Sequence, residues 1–121
     1  GYAALTRLAG RHADTADRRA RHAHPDVPSP DELVRLVAGM AGGVVRPDAG
    51  EPDLDATDLV AALTLVPQAR ADLDNVELAL LKAARSREMT WQDIAFGLGL
   101  GTAQAAKQRH DRLEARAGDD S

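Results

Sequence analysis

The chain has 121 residues, room for one domain with a separate extension, and 44% of them are apolar. It has no cysteine, which excludes disulfides and thiolate metal sites and makes a reducing compartment the simple reading. The net charge of −4 is unevenly placed, with +3 over residues 1–25, −7 over 26–84, +2 over 85–118 and −2 on Asp119-Asp120. That pattern fits local patches on a soluble protein better than a chain that coats nucleic acid uniformly.

No apolar run approaches the roughly 20 residues of a membrane span, and the N-terminus has no signal-peptide pattern. The expected setting is therefore cytoplasmic (nucleoid-associated), with no membrane partner. The only aromatic residues are Tyr2, Trp91 and Phe96. A core of Ala, Leu and Val suits close-packed helices, because strands favour aromatic and β-branched residues. The expected fold class is all-α, a helical bundle with a C-terminal helix-turn-helix, built from five or six helices.

Residues 2 to about 23 are Ala-, Leu- and Arg-rich and carry no proline. Tyr2, Leu5, Leu8 and Ala9 make a short apolar stripe at helical spacing. This basic segment (1–25) is expected to be an N-terminal helix or arm. "HPDVPSP" (24–30) is a linker that ends in a helix start. Ser29 can cap, Pro30 can take the first helical position, and Glu32 completes a capping box. The helix continues through Leu33, Val34, Leu36, Val37 and Met40 and stops at Gly42-Gly43. Val44-Val45 is compatible with a short strand that has no evident partner. Residues 26–66 are thus a helical support or dimerisation region, with Leu33 to Met40 as the expected dimer contact.

The next helix begins near Asp53 to Asp55 and carries Leu59, Val60, Leu63 and Val66. Pro67 marks a break or a fresh first turn. From Pro67 to about Arg87 the spacing predicts a long amphipathic helix whose buried stripe is Leu73, Val76, Leu80, Leu81 and Ala84. Asp72 and Asp74 near its start and Arg85 and Arg87 near its end suit the helix dipole.

Residues 90–110 read "TWQDIAFGLGLGTAQAAKQRH". Thr90 is a suitable N-cap, with Asp93 as its capping-box partner. Ile94, Ala95 and Leu98 give the short helix an inward face. Gly99 then stops it, since the position past a helix end often needs φ > 0, which glycine adopts without steric cost. Leu100 plugs the corner. The following helix, capped by Gly101 or Thr102, carries Ala105, Ala106, Arg109, Leu113 and Ala117. A phosphate-cradling loop would need a preceding strand and GxGxxG spacing. Here the spacing is GxGxG after a helix, so the structural role of the glycines is favoured.

The motif "LLKAARSREMTWQDIAFGLGLGTAQAAKQRHDRL" (80–113) resembles the helix-turn-helix of sigma-factor region-four-like domains and small actinobacterial transcriptional regulators. Its parts are a long support helix, the "TWQDIA" entry and the "GLGxxxAA" corner. The resemblance covers residues 68–116, so 67–118 is expected to be the DNA-binding domain. One departure is the cap, which in the family usually follows the apolar turn residue directly; here Gly101 stands there and Thr102 follows. The resemblance implies a bacterial transcription factor that reads the major groove of double-stranded DNA with the helix at about 102–116, without a cofactor; one such module buries little surface and has few charges, so a homodimer on two half-sites is expected. Thr102, Gln104, Lys107 and Gln108 would lie on or near the groove side, where Gln pairs with adenine and Lys contacts guanine or phosphate. Arg109 and Arg112 would reach phosphates. Thr90 and Gln92, with Trp91, open the first helix, whose N–H groups can hold a phosphate, and Arg87 with Arg85 would add charge there.

Structural readings weigh against several other features. Trp91 is expected to pack between helices, and His110 to pack rather than touch DNA. His22-x-His24 with His12 has the wrong spacing for a shared helix face, so no metal is expected. Ser29, Ser86 and Ser121 read as cap, helix end and tail, so no enzyme is expected. The competing reading is a non-catalytic interaction module whose acidic middle, "DAGEPDLDATD" (48–58), docks on RNA polymerase or another regulator.

Overall fold

The structure is a computed structural model that describes residues 2–12, 14–16 and 28–119. The described residues form five helices and no strand: α1 (Tyr2–His12), α2 (Pro30–Ala41), α3 (Ala56–Ser86), α4 (Trp91–Leu98) and α5 (Ala103–Asp119). Among them no helix is long and apolar enough to cross a membrane. The chain divides into two compact units, Gly1–Ala62 and Leu63–Ser121.

In the first unit, α1 stops at His12, short of the expected end near residue 23; residues 17–27, with the Arg18, Arg19 and Arg21 cluster, His22 and His24, lie outside the described residues. The start of α2 is the capping box read from the sequence. Ser29 Oγ accepts from the Glu32 N–H at 3.2 Å, Glu32 Oε2 accepts from the Ser29 N–H at 3.4 Å, and Pro30 takes the first turn. The helix closes at Gly42, as expected. The Val44-Val45 pair is not a strand. Both N–H groups fold back to the Gly39 carbonyl, at 2.9 and 3.1 Å. Gly39 permits that return, since a Cβ there would sit 2.8 Å from Val45 Cγ2. No residue of α2 is buried.

α3 begins at Ala56 behind a reciprocal pair of aspartates. Asp55 Oδ1 accepts from the Asp58 N–H at 2.8 Å, and Asp58 Oδ2 accepts from the Asp55 N–H at 3.1 Å. The expected break at Pro67 is absent, and one helix runs from Ala56 to Ser86 through the proline. Proline removes one N–H and crowds the carbonyl four residues earlier, but helix formers on both sides carry the helix across.

The second unit holds every buried side chain among the described residues: Leu78 and Leu81 of α3, Ile94 and Ala95 of α4, Ala106 and Leu113 of α5. Ala84, Trp91, Leu100 and Ala117 pack around them. Ala95 and Ala106 are fully buried (0% exposed), so their small side chains let α4 and α5 approach closely. The stripe expected on α3 needs correction. Leu81 is buried and Ala84 packs on the core, but Leu73, Val76 and Leu80 are 66, 56 and 65% exposed, and Leu78 takes the core position instead. α3 carries two apolar stripes, and helical spacing alone does not say which one meets α4 and α5.

Candidate nucleic-acid interface

The corner between α4 and α5 is set by backbone conformation. Gly99 has φ = 72°, the left-handed region, and closes α4. Leu100 N–H then donates to the Ala95 carbonyl at 2.8 Å and Gly99 N–H to the Phe96 carbonyl at 3.2 Å, a Schellman-type ending. Leu100 is half-buried and packs on the core. Gly97 and Gly101 have negative φ and open space where a Cβ would stand. The cap of α5 is Thr102, not Gly101. Its Oγ1 accepts from the Ala105 N–H at 3.1 Å, and α5 starts at Ala103.

α5 has two sides. Ala106, Arg109, His110, Leu113 and Ala117 face the rest of the unit, buried or half-buried. Gln104, Lys107, Gln108, Asp111 and Arg112 are exposed on the other side. Their spacing of three and four residues places them on adjoining strips of one helix surface. Gln104, Lys107, Gln108 and Arg112 make no side-chain hydrogen bond or ion pair among the described residues. Asp111 belongs to the same surface, although sequence reasoning passed over it. Its carboxylate lies 3.0 Å from His110 Nδ1.

Arg109 is differently placed. It pairs with Glu77 of α3 through Nε and through Nη2 at 2.8 Å, on the inward side of α5. The Arg109 hydrogen bond, with its charge adding, holds the Glu77 carboxyl below its ordinary value against the opposite push of burial. The same hydrogen bond raises Arg109. Arg116 bonds Asp74 at 3.1 Å, and Lys82 pairs with Glu114 at 3.3 Å. Three cation–carboxylate pairs therefore tie α3 to α5.

Trp91 packs between helices, as expected. Its ring meets His110 edge-on at 5.4 Å, and the Arg85 guanidinium lies 4.6 Å from its centre. Arg85 also donates to the Met89 carbonyl at 2.8 Å, and Arg87 to the Ala83 carbonyl at 3.1 Å. Both arginines help end α3 by bonding carbonyls of its last turn and of the residues after it. At the start of α4, Thr90 Oγ1 accepts from the Asp93 N–H at 3.0 Å, and Asp93 Oδ2 accepts from the Thr90 N–H at 3.1 Å. The N–H groups of Trp91 and Gln92 lie in the first turn, where no intrahelical acceptor exists. Asp93 places a negative charge beside them. Gln92 is exposed, and Phe96 on the same helix is 86% exposed, an apolar side chain that the sequence pattern did not mark as outward.

An open cleft of about 410 Å³ near Asp74, Asn75, Leu113 and Arg116 lies toward the far end of α5, away from the Gln104–Arg112 surface. No cluster of His, Asp or Glu among the described residues is arranged to hold a metal ion. Comparison with family models, with curated proteins and with solved structures finds no match to the chain.

Proposed function

We propose that the chain is a sequence-specific double-stranded DNA-binding protein, a transcriptional regulator in which α4, the Gly99–Thr102 corner and α5 act as a helix-turn-helix. The observation that carries this reading is the outward surface of α5. Two amides, one lysine and one arginine sit exposed on a helix whose opposite side is held by the core and by two ion pairs from its arginines. Such a helix is rigid and presents bidentate hydrogen-bonding groups to a groove. Gln104 and Gln108 would read base edges, with Thr102 at the leading end, and Lys107 and Arg112 would contact base or phosphate. Arg87 and the first turn of α4, with Thr90 and Gln92, would set the register on the backbone.

Arg109 and Arg116 are bound to Glu77 and Asp74, so the reading leaves few cations for phosphates. It therefore requires a modest salt dependence, with a slope of roughly −2 to −3 per copy if two or three phosphates are neutralised. Docking of a basic partner on the acidic middle has less support, because Glu51, Asp55 and Asp58 already accept hydrogen bonds from the backbone of their own segment.

Selection of bound sequences from a random duplex pool, followed by titration at several salt concentrations, tests the reading. A recurring sequence is expected. Gln104→Ala should relax preference at one base position by about 1–3 kcal/mol. Lys107→Ala should weaken all sites alike and lower the salt slope by about 1 if it holds a phosphate. Enrichment of no sequence, with both variants indistinguishable from the parent, would sink the reading.

A further inference from the structure

The apolar stripe that α3 leaves outside the core has a regular spacing. Within the second unit it runs Val66, Ala69, Leu73, Val76, Leu80 and Ala83, with steps of three, four, three, four and three. This is a heptad seam, the period at which two helices wind around each other. Leu73, Val76 and Leu80 are more than half exposed, although the core of the unit lies on the same helix.

We infer that this seam pairs with the same seam of a second copy, antiparallel. Such pairing goes beyond DNA binding and does not depend on it. Side-chain sizes along the seam favour this direction. Set antiparallel about a point between Asp74 and Asn75, the seam meets itself in layers of Val66 with the partner's Ala83, Ala69 with the partner's Leu80, and Leu73 with the partner's Val76. Each layer combines a larger with a smaller side chain, so the helices stay evenly spaced. Parallel pairing would instead stack Leu on Leu and Ala on Ala, alternating wide and narrow layers.

The flanking charges favour the same direction. The antiparallel register places Arg70, which is exposed and makes no ion pair among the described residues, opposite the partner's Glu77, twice by symmetry. Glu77 lies at the edge of the seam and holds Arg109 on its other side. Parallel pairing would instead set Asp72 against the partner's Glu77, a like-charge contact that costs stability. The seam is about 26 Å long at 1.5 Å per residue. A strip of that length and roughly one helix diameter in width is smaller than the standard interface of about 1,200–2,000 Å². The pair therefore belongs to the weak, concentration-dependent class.

Sedimentation equilibrium of the full chain without DNA, over a wide concentration range, tests the occupant. A monomer–dimer equilibrium is expected, and Leu73→Glu with Leu80→Glu should remain monomeric throughout while keeping the parent's helical circular dichroism. A parent chain that stays monomeric at every concentration, or a double variant that dimerises like the parent, overturns the inference. The absence of cysteine allows a test of direction. A mixture of Val66→Cys and Ala83→Cys chains should form a crosslinked heterodimer on oxidation. Ala83→Cys alone should not, because its two sulfurs would stand at opposite ends of the seam, far beyond disulfide reach. Rapid crosslinking of Ala83→Cys alone would overturn the antiparallel arrangement. Since no DNA is present, either failure is distinct from failure of the DNA-binding reading.

Discussion

The two compact units are built from similar helices yet are held in different ways. In Gly1–Ala62, helix α2 is defined by local devices: a capping box, a proline at its first turn, a glycine stop and the return of Val44-Val45 onto Gly39. None of its residues is buried. In Leu63–Ser121, the same kinds of caps recur, but six side chains from three helices are removed from water and three ion pairs tie α3 to α5. Local rules are enough to start and stop a helix. Cooperative stability requires apolar surface that several helices share, because a short isolated helix is marginal in water.

Truncating one side chain in each unit separates local from cooperative stabilisation. Leu113→Ala removes a buried side chain from the shared core and should cost about 2–5 kcal/mol, seen as a large fall in the denaturant midpoint. Leu36→Ala on α2, at a position left exposed, should change stability by less than about 0.5 kcal/mol. Equal losses would mean that the first unit carries as much of the stability as the second.

Gly99→Val comes next. It places a β-branched side chain at φ = 72°, where an ordinary L residue already pays about 1–2 kcal/mol. Melting temperature should fall and, under the proposed DNA-binding function, DNA affinity with it, because the corner also aims α5. Gly97→Ala meets open space and should leave both unchanged. A Gly97→Ala variant that melts lower than Gly99→Val would reverse the assignment.

The Glu77–Arg109 pair gives a smaller, pH-dependent effect. The folded-state value of Glu77 is lowered, so its contribution is fully present above the unfolded carboxyl value of about 4.3 and is lost as pH falls through the lower folded value. Glu77→Gln should therefore melt below the parent at neutral pH, with the difference shrinking on acidification. A difference that grows toward acid would contradict the pairing. A modest gain is expected at Glu88, which ends α3 with φ = 65° without being glycine. Glu88→Gly should raise stability by up to about 1 kcal/mol, read as a small upward shift in melting temperature.

The sequence was most legible where the physics is local. Ser29 with Glu32, Thr90 with Asp93, and Gly99 act on backbone groups within four residues, so their roles follow from spacing. The site was partly legible for the same reason. Gln104, Lys107, Gln108 and Arg112 share an exposed surface because helical periodicity puts them there. Arg109 is a helical neighbour of Gln108 and Arg112, yet it turns inward to a carboxylate 32 residues earlier in the chain. Pro67 misled because a proline weakens a helix without always ending it.

Composition and short-range spacing thus suffice for an all-α class, for where most of the described helices start and stop, and for which residues could form an outward polar face on the last one. Packing between helices settles which of the two apolar stripes of α3 is buried, and which arginines pair with Glu77 and Asp74. The reason is physical. A cap or a left-handed glycine depends on neighbours in the chain, whereas burial and ion pairing depend on what another helix brings to the same place.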